Sequence, residues 1–397
     1  MLSEALDPPS RAFHTAHHYA LMAESEALDA LLAESGVAED EEARRMGRVA
    51  LANYYAAAEA VIALHAAYRD VTERAALFAQ RIDANSGVGL FQDSKQPTER
   101  IRDFLHARNN HFPELESAAD ALWRSADIRA REVFDGVRRA FAQDGVSVAV
   151  VPASVLAGDL RRFDLHGRRL MLSEALDPPS RAFHTAHHYA LMAESEALDS
   201  LLAESGVAED EEARRMGRVA LANYYAAAVL APYDRFIRVA RELRYDIVGL
   251  MRRFEMSFEQ VAHRLTTLNK PGAKGVPFFL MRVDSAGNVS KRFSAGGFHF
   301  GRFGGGCPRW VVHDAFATPD RIRTQLVETA DGAAYLTIAM ASPRSGVAFD
   351  DGRSAGLLAV VVGCPIDQIG EVVYGDDYAV EDEAARARIG AGCRVCQ

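Results

Sequence analysis

Lysine is nearly absent from this chain: Lys95, Lys270, Lys274 and Lys291 are four of its 45 basic residues. Arginine must therefore supply almost every cationic contact. Cysteine is equally scarce. Its four copies, Cys307, Cys364, Cys393 and Cys396, all fall in the last quarter of the chain. That scarcity excludes a disulfide-stapled secreted scaffold, and the clustering points to thiolate–metal chemistry instead. No apolar run approaches the roughly 20 residues that cross a bilayer. The opening MLSEALDPPSRAF has no basic stretch followed by an apolar one, so no secretory leader is read there. A cytoplasmic protein without a membrane partner is expected. A net charge of −10 argues against a chain that coats nucleic acid without specificity.

What the chain does have is a repeat. Residues 1–58 return as residues 171–228 with one difference, Ala30 against Ser200, and the copies diverge at Glu59 and Val229. Two copies at so long a spacing are not a solenoid. The first copy starts inside a strand that has no upstream partner, so it is expected to be orphaned. Residues 41–82 read as a helix with alternating three- and four-residue apolar steps from Val61 to Ile82, and 83–97 as a polar linker. In the second copy the same helix should stop at Pro232. Further on, helices are expected over 98–143, short strands in SVAVVP and GDLRRFDLHGRRLMLSEAL, a helix from near Ser180, and more helices over 234–268. Residues 275–380 change to hairpins, one through DSAGN and one around Asp331-Gly332, followed by the buried strand GLLAVVVG. The class is α+β. The expected parts are the copy 1–58, a helix and linker 59–92, a domain 93–270 and a C-terminal α+β domain 271–397.

One helix carries a damaged metal motif. Zinc peptidases hold the ion between two histidines four residues apart and activate water with a glutamate beside the first. The stretch from Arg181 to Leu191 fits the RxFxxAHExGH frame of the ImmA/IrrE-type metallopeptidases. His187 fills the first histidine, but His188 replaces the glutamate and Leu191 the second histidine. The third ligand of those enzymes precedes an ANxFAAxLLMP stretch, and Val219 holds that place here. One ligand of three and no base cannot hold a catalytic zinc. A His184, His187, His188 trio lacks a carboxylate and is a weak alternative.

Several stretches together resemble the short-chain fatty acyl-CoA regulators of bacteria: RIRDFLHARNNHFPELESAADAL, GDLRRFDLHGRRLMLSEALDPPSRAFHTAHHYAL, LANYYAAAVLAPYDRF, FEQVAHRLTTLNKPGAKGVPFFLMRVDSAGNVSKRFSAGGF and GCRVC. The resemblance implies an XRE-type helix-turn-helix transcription regulator with a degenerate ImmA/IrrE zincin-like middle domain and a C-terminal, GAF-like effector domain. It also implies a short-chain acyl-CoA effector, an iron–sulfur cluster, promoter DNA as partner in intact members and a homo-oligomeric state. Residues 1–58 occupy the place of the helix-turn-helix without holding one, and the chain stops one residue after Cys396 where members run on to a further cysteine. DNA binding and a complete cluster are thus expected of intact members rather than of this polypeptide.

An acyl-CoA needs cations for its phosphates and an apolar slot for its tail. Arg264, Lys291 and Arg292 are the expected phosphate contacts, with Lys270 and Lys274 flanking a Pro-Gly loop. Tyr224, Tyr225, Phe278 and Phe279 are expected at the slot. Cys393-x-x-Cys396 offers a two-thiolate bite, Cys307 a third ligand after three glycines, and Cys364 an alternative or extra one. Residues 245–268 mimic a helix-turn-helix with Arg252, Arg253 and Arg264, though an interior helix pair reads better. The expected function is a non-catalytic, acyl-CoA-sensing regulator; the alternative is a zinc metallopeptidase of the ImmA/IrrE type.

Overall fold

The computed structural model describes residues 97–156, 159–294, 298, 307, 309–329, 331–343, 356–379 and 383–390. The readings of the first repeat copy, of the 41–82 helix and of the linker before Pro97 lie outside them, as do Cys393 and Cys396. The described residues fall in one compact unit, Lys95–Gln397.

The first half of that unit is built on helices around one small sheet. Helices α1 (Pro97–Ala107), α2 (Pro113–Ser125) and α3 (Val133–Gln143) lead into β1 (Ser147–Val151), β2 (Arg161–Asp164) and β3 (Arg169–Ser173). Strand β3 lies in the middle, parallel to β1 and antiparallel to β2. Helix α4 (Pro178–Ala193) follows at once. Two prolines sit in its first turn, where no N–H is needed, and the Asp177 carboxylate accepts from Ser180 N at 2.8 Å to cap it. Helices α5 (Ser195–Glu204) and α6 (Glu211–Leu230) come next.

Helix α6 is the hub. Asp210 caps its start, and it ends at Leu230, just before Pro232, as the sequence predicts. Its last turns, Tyr224 to Leu230, are fully or almost fully buried. The small Ala226, Ala227 and Ala228 let neighbouring helices come close, and Trp123 of α2 donates its indole N–H to Val229 O at 2.7 Å. Helices α7 (Tyr233–Glu242), α8 (Ile247–Phe254) and α9 (Phe258–Leu265) complete this half. The α8–α9 pair is interior. In α9 every residue from Val261 to Leu265 is buried, so this helix cannot enter a DNA groove.

The second half is a six-stranded sheet of order β5-β4-β8-β7-β6-β9, made of β4 (Phe279–Asp284), β5 (Val289–Ser294), β6 (Arg323–Glu328), β7 (Ala334–Pro343), β8 (Leu357–Pro365) and β9 (Ala387–Arg388). All neighbours are antiparallel except β6 and β9. Both expected hairpins are present. Alternate side chains divide cleanly between two cores. Leu280, Leu336, Ile338, Val360, Val362 and Cys364 join the core shared with the helices. Phe279, Met281, Ala339, Ala341 and Val361 pack on the other face against Phe298, Cys307 and Trp310, which stands at the start of the short helix α10 (Val311–Asp314). The first core is therefore continuous across residue 270. Among the described residues no helix is long and apolar enough to cross a membrane.

Candidate functional site

The damaged metal motif lies on α4, and β2 runs beside it. Arg161 and Phe163 are two apart on β2, so they share a face, roughly 6–7 Å apart along the strand. His184 and His188 are four apart on α4 and stand roughly 6 Å apart along the helix. The two spacings match. Arg161 Nη1 donates to His184 Nδ1 at 3.0 Å, and the Phe163 ring centroid lies 4.7 Å from that of His188. His187, 1% exposed, pairs through Nδ1 with Asn223 Oδ1 of α6 at 2.9 Å.

Burial first, and then the Arg161 charge, push all three imidazoles toward the neutral form: His184 and His188 down to about 4, His187 to about 3. Burial likewise lowers Arg161 below the usual arginine value. The Nε2 atoms of His187 and His188 and the Nε of Arg181 are buried with no hydrogen-bond partner.

These residues do not fit a catalytic zinc. No carboxylate stands at 188, no imidazole at 191, and a guanidinium is hydrogen-bonded to His184. Val219, expected at the third ligand position, is 43% exposed. The α6 residue that reaches His187 is Asn223, one turn further on. Among the described residues no group of three or more His, Cys, Asp or Glu is placed to hold a metal ion.

The expected effector residues scatter. Arg264 is wholly buried and committed internally. It grips Glu116 in a fork, with Nη1 to Oε1 at 2.6 Å and Nη2 to Oε2 at 2.8 Å, and it also donates to Ala231 O and Thr267 Oγ1. Burial alone would lower its pKa; the Glu116 charge outweighs this and holds it above the usual arginine value. Arg264 is thus a structural ion pair, not a phosphate contact. Tyr224 belongs to the same network: its hydroxyl donates to Glu116 Oε1 at 2.6 Å and accepts from Phe112 N at 3.2 Å. Tyr225 turns elsewhere, toward Glu194 Oε1 at 3.5 Å. The two tyrosines therefore line no common slot. Phe278 and Phe279 also separate, one into each core.

Lys291 and Arg292, adjacent on β5, stand on opposite faces of the sheet. Lys291 lies opposite Arg282, and Arg292 opposite Met281, whose side chain packs in the second core. Lys291 Nζ donates to Glu259 Oε1 of α9 at 3.0 Å, and Arg282 Nη1 donates to both oxygens of that carboxylate at 2.8 and 3.1 Å. Burial pushes Glu259 up; the charges of Lys291 and Arg282 outweigh it and bring it down to about 2. Since Arg282 Nη1 still donates to both carboxylate oxygens when Lys291 is gone, Lys291→Ala should shift urea stability by no more than about 1 kcal/mol. Glu259→Ala leaves two cations facing each other beside buried His263, and a clearly larger loss is expected in the same titration.

Cys364 and Cys307 cannot share a cluster. Cys364 points into the first core from β8, where burial pushes its thiol up to about 12; Cys307 lies in the second core, across the sheet. Cys364 is a small buried hydrophobe here rather than a ligand. The residues missed from sequence were Arg161, Asn223, Glu116 and Glu259. Only Arg161 left a signal, the R-x-F alternation of β2 opposite the H-x-x-x-H step of α4.

Residues 142–266 match the IrrE N-terminal-like domain, and residues 267–397 match the short-chain fatty acyl coenzyme A regulator C-terminal domain. The HTH-type transcriptional regulator PrpR of Mycobacterium tuberculosis is 37% identical over 340 residues, covering 85% of this chain and 68% of that protein. The propionyl-CoA carboxylase regulator of Cereibacter sphaeroides is 36% identical over 349 residues, covering 88% and 72%. A solved structure described as a Mycobacterium tuberculosis transcriptional regulator superposes with a TM-score of 0.69 at 38% identity, covering 76% of this chain and 91% of that one.

Proposed function

Because the chain belongs to the short-chain fatty acyl coenzyme A regulator family, we propose that it is a non-catalytic transcription regulator whose effector is a short-chain acyl-CoA. One observation carries the non-catalytic reading. The pocket that would hold zinc in a peptidase instead gathers neutral histidines around a guanidinium, with no base and no second ligand histidine. Nothing in the site favours the peptidase alternative. The relative named for propionyl-CoA carboxylase regulation suggests a three-carbon acyl group as the first to try.

An effector of this kind acts by binding one arrangement of the sensor better than another. The contacts that join the two halves are where such a bias would be felt. Arg244 forks onto Asp376 at 2.6 and 2.8 Å, Tyr374 donates to Asp246 at 3.0 Å, and Glu259 ties α9 to β4 and β5. Operator contact belongs, in this reading, to the helix-turn-helix of intact family members and not to α8–α9. A homo-oligomer fits the family role. For the iron–sulfur cluster the remaining thiolates are Cys307, Cys393 and Cys396.

Calorimetric titration of the full chain with acetyl-, propionyl- and butyryl-CoA tests the effector. Saturable binding at about micromolar Kd is expected for at least one; no binding by any of the three overturns the reading. Lys291 and Arg292 face different sides of the sheet, so only one of Lys291→Ala and Arg292→Ala should weaken that binding. Equal losses would contradict a single head-group site.

A further inference from the structure

The α4 face that carries the incomplete metal motif has a different set of demands. Arg181, His184 and His188 form one stripe at steps of three and four, with His187 alongside, and Arg161 reaches it from β2. Arg161 is mostly withdrawn from water, yet its one protein partner among the described residues is the His184 ring. The Asp177 carboxylate that caps α4 acts on His184, whereas no carboxylate is felt at Arg161. A guanidinium taken from water without a counter-charge is costly. Around it the Arg181 Nε, His187 Nε2 and His188 Nε2 atoms are buried and unpartnered. His187 itself is almost completely enclosed.

We propose that the seam where β2 packs on α4 is a binding site for a small oxyanion, a carboxylate or phosphate group, held by Arg161 with His187 and His188 as neutral donors. An arginine can only donate, so His184 accepts through Nδ1 and carries its proton on Nε2. Turning the Asn223 amide about its axis exchanges Oδ1 for Nδ2 at the same position, so that Nδ2 replaces Oδ1 as the partner of His187 Nδ1. His187 then carries its proton on Nε2 and can donate it. The anion supplies the missing counter-charge to Arg161 and acceptors for the stranded donors. The guanidinium that makes the site repel a cation is what makes it select an anion. This site stands on the buried, unpartnered donors around Arg161 and holds whether or not an acyl-CoA is the effector. The anion could be a free metabolite or a phosphate of the effector itself.

The test follows the histidine ring resonances of the full-length, isotope-labelled protein while sodium propionate, inorganic phosphate or propionyl-CoA is added. Shifts of the His187 and His188 rings with propionate assign the site to a carboxylate, with phosphate to a phosphate, and with propionyl-CoA alone to the effector's own phosphates. Silence of both rings with all three overturns the site. Calorimetry adds a second reading: Arg161→Gln should weaken binding of the active anion by about tenfold to a hundredfold, while Arg161→Lys retains part of it. A folded Arg161→Gln protein with unchanged affinity overturns the proposal, and if that variant does not fold, the wild-type resonances decide.

Discussion

Replacing Glu116 with alanine is expected to cost about 3–5 kcal/mol of stability, because it strands a fully buried guanidinium. Arg264 would keep its contacts to Ala231 O and Thr267 Oγ1 but lose its only carboxylate among the described residues, and the Tyr224 hydroxyl would lose its short carboxylate acceptor and be left with His111 Nδ1 at 3.3 Å. Chemical unfolding should show the loss as a lower midpoint with an unchanged slope. Removing both charges, by Glu116→Met with Arg264→Leu, should recover much of it, since an apolar pair of similar volume avoids the desolvation of two ions. If Glu116→Ala alone shifts the midpoint by less than an equivalent of about 1 kcal/mol, the pair is not the anchor that its burial implies.

Acid should unfold the protein well before its carboxylates are protonated. His187 and His263, 1% and 6% exposed, are each held at about 3 in the fold, burial being the main cause and a nearby cation, Arg161 or Lys291, the next. The unfolded histidine titrates near 6.5, so the unfolded chain takes up protons that the fold refuses. The contribution is complete above pH 6.5 and drains away as pH falls toward 3. Together the two histidines remove about 4 kcal/mol by pH 5. His184 and His188 act in the same direction but are less enclosed, so their share is smaller. Glu259 enters only later, since a carboxyl lowered to about 2 keeps its contribution until pH falls below 4.5. Circular dichroism should therefore show a cooperative loss of structure between about pH 6 and 4, and His187→Asn should move it to lower pH. A protein that stays fully folded at pH 4 would contradict the assignment of neutral, enclosed histidines.

The architecture was largely legible because it is written in local signals. The Asp177-Pro-Pro start of α4, the Pro232 stop of α6 and the turn residues of both hairpins sit within a few positions of what they control. The site was less legible because its partners are far apart in sequence. Nothing near Arg264 announces that Glu116, 148 residues earlier, will enclose it. The α8–α9 pair is interior, as its sequence reads, but Arg264 on it was expected at a phosphate and faces Glu116 instead. Strand β8 is apolar on both faces, so its pattern gives no parity for Cys364. The separation of Lys291 from Arg292 is another matter: neighbours on a strand always face opposite ways, and the hairpin itself was foreseen. The damaged zinc frame was readable residue by residue, except that Asn223 rather than Val219 faces His187.

The claim on which the rest depends is that this peptidase-like fold holds a guanidinium, and not a metal ion, beside the α4 histidines. It is tested by the zinc bound to the full chain at saturation, compared between the wild type and His187→Ala. Thiolates elsewhere can bind zinc, so the difference between the two proteins is the informative quantity. The account predicts the same zinc content in both. One equivalent of zinc that disappears with His187 would contradict it.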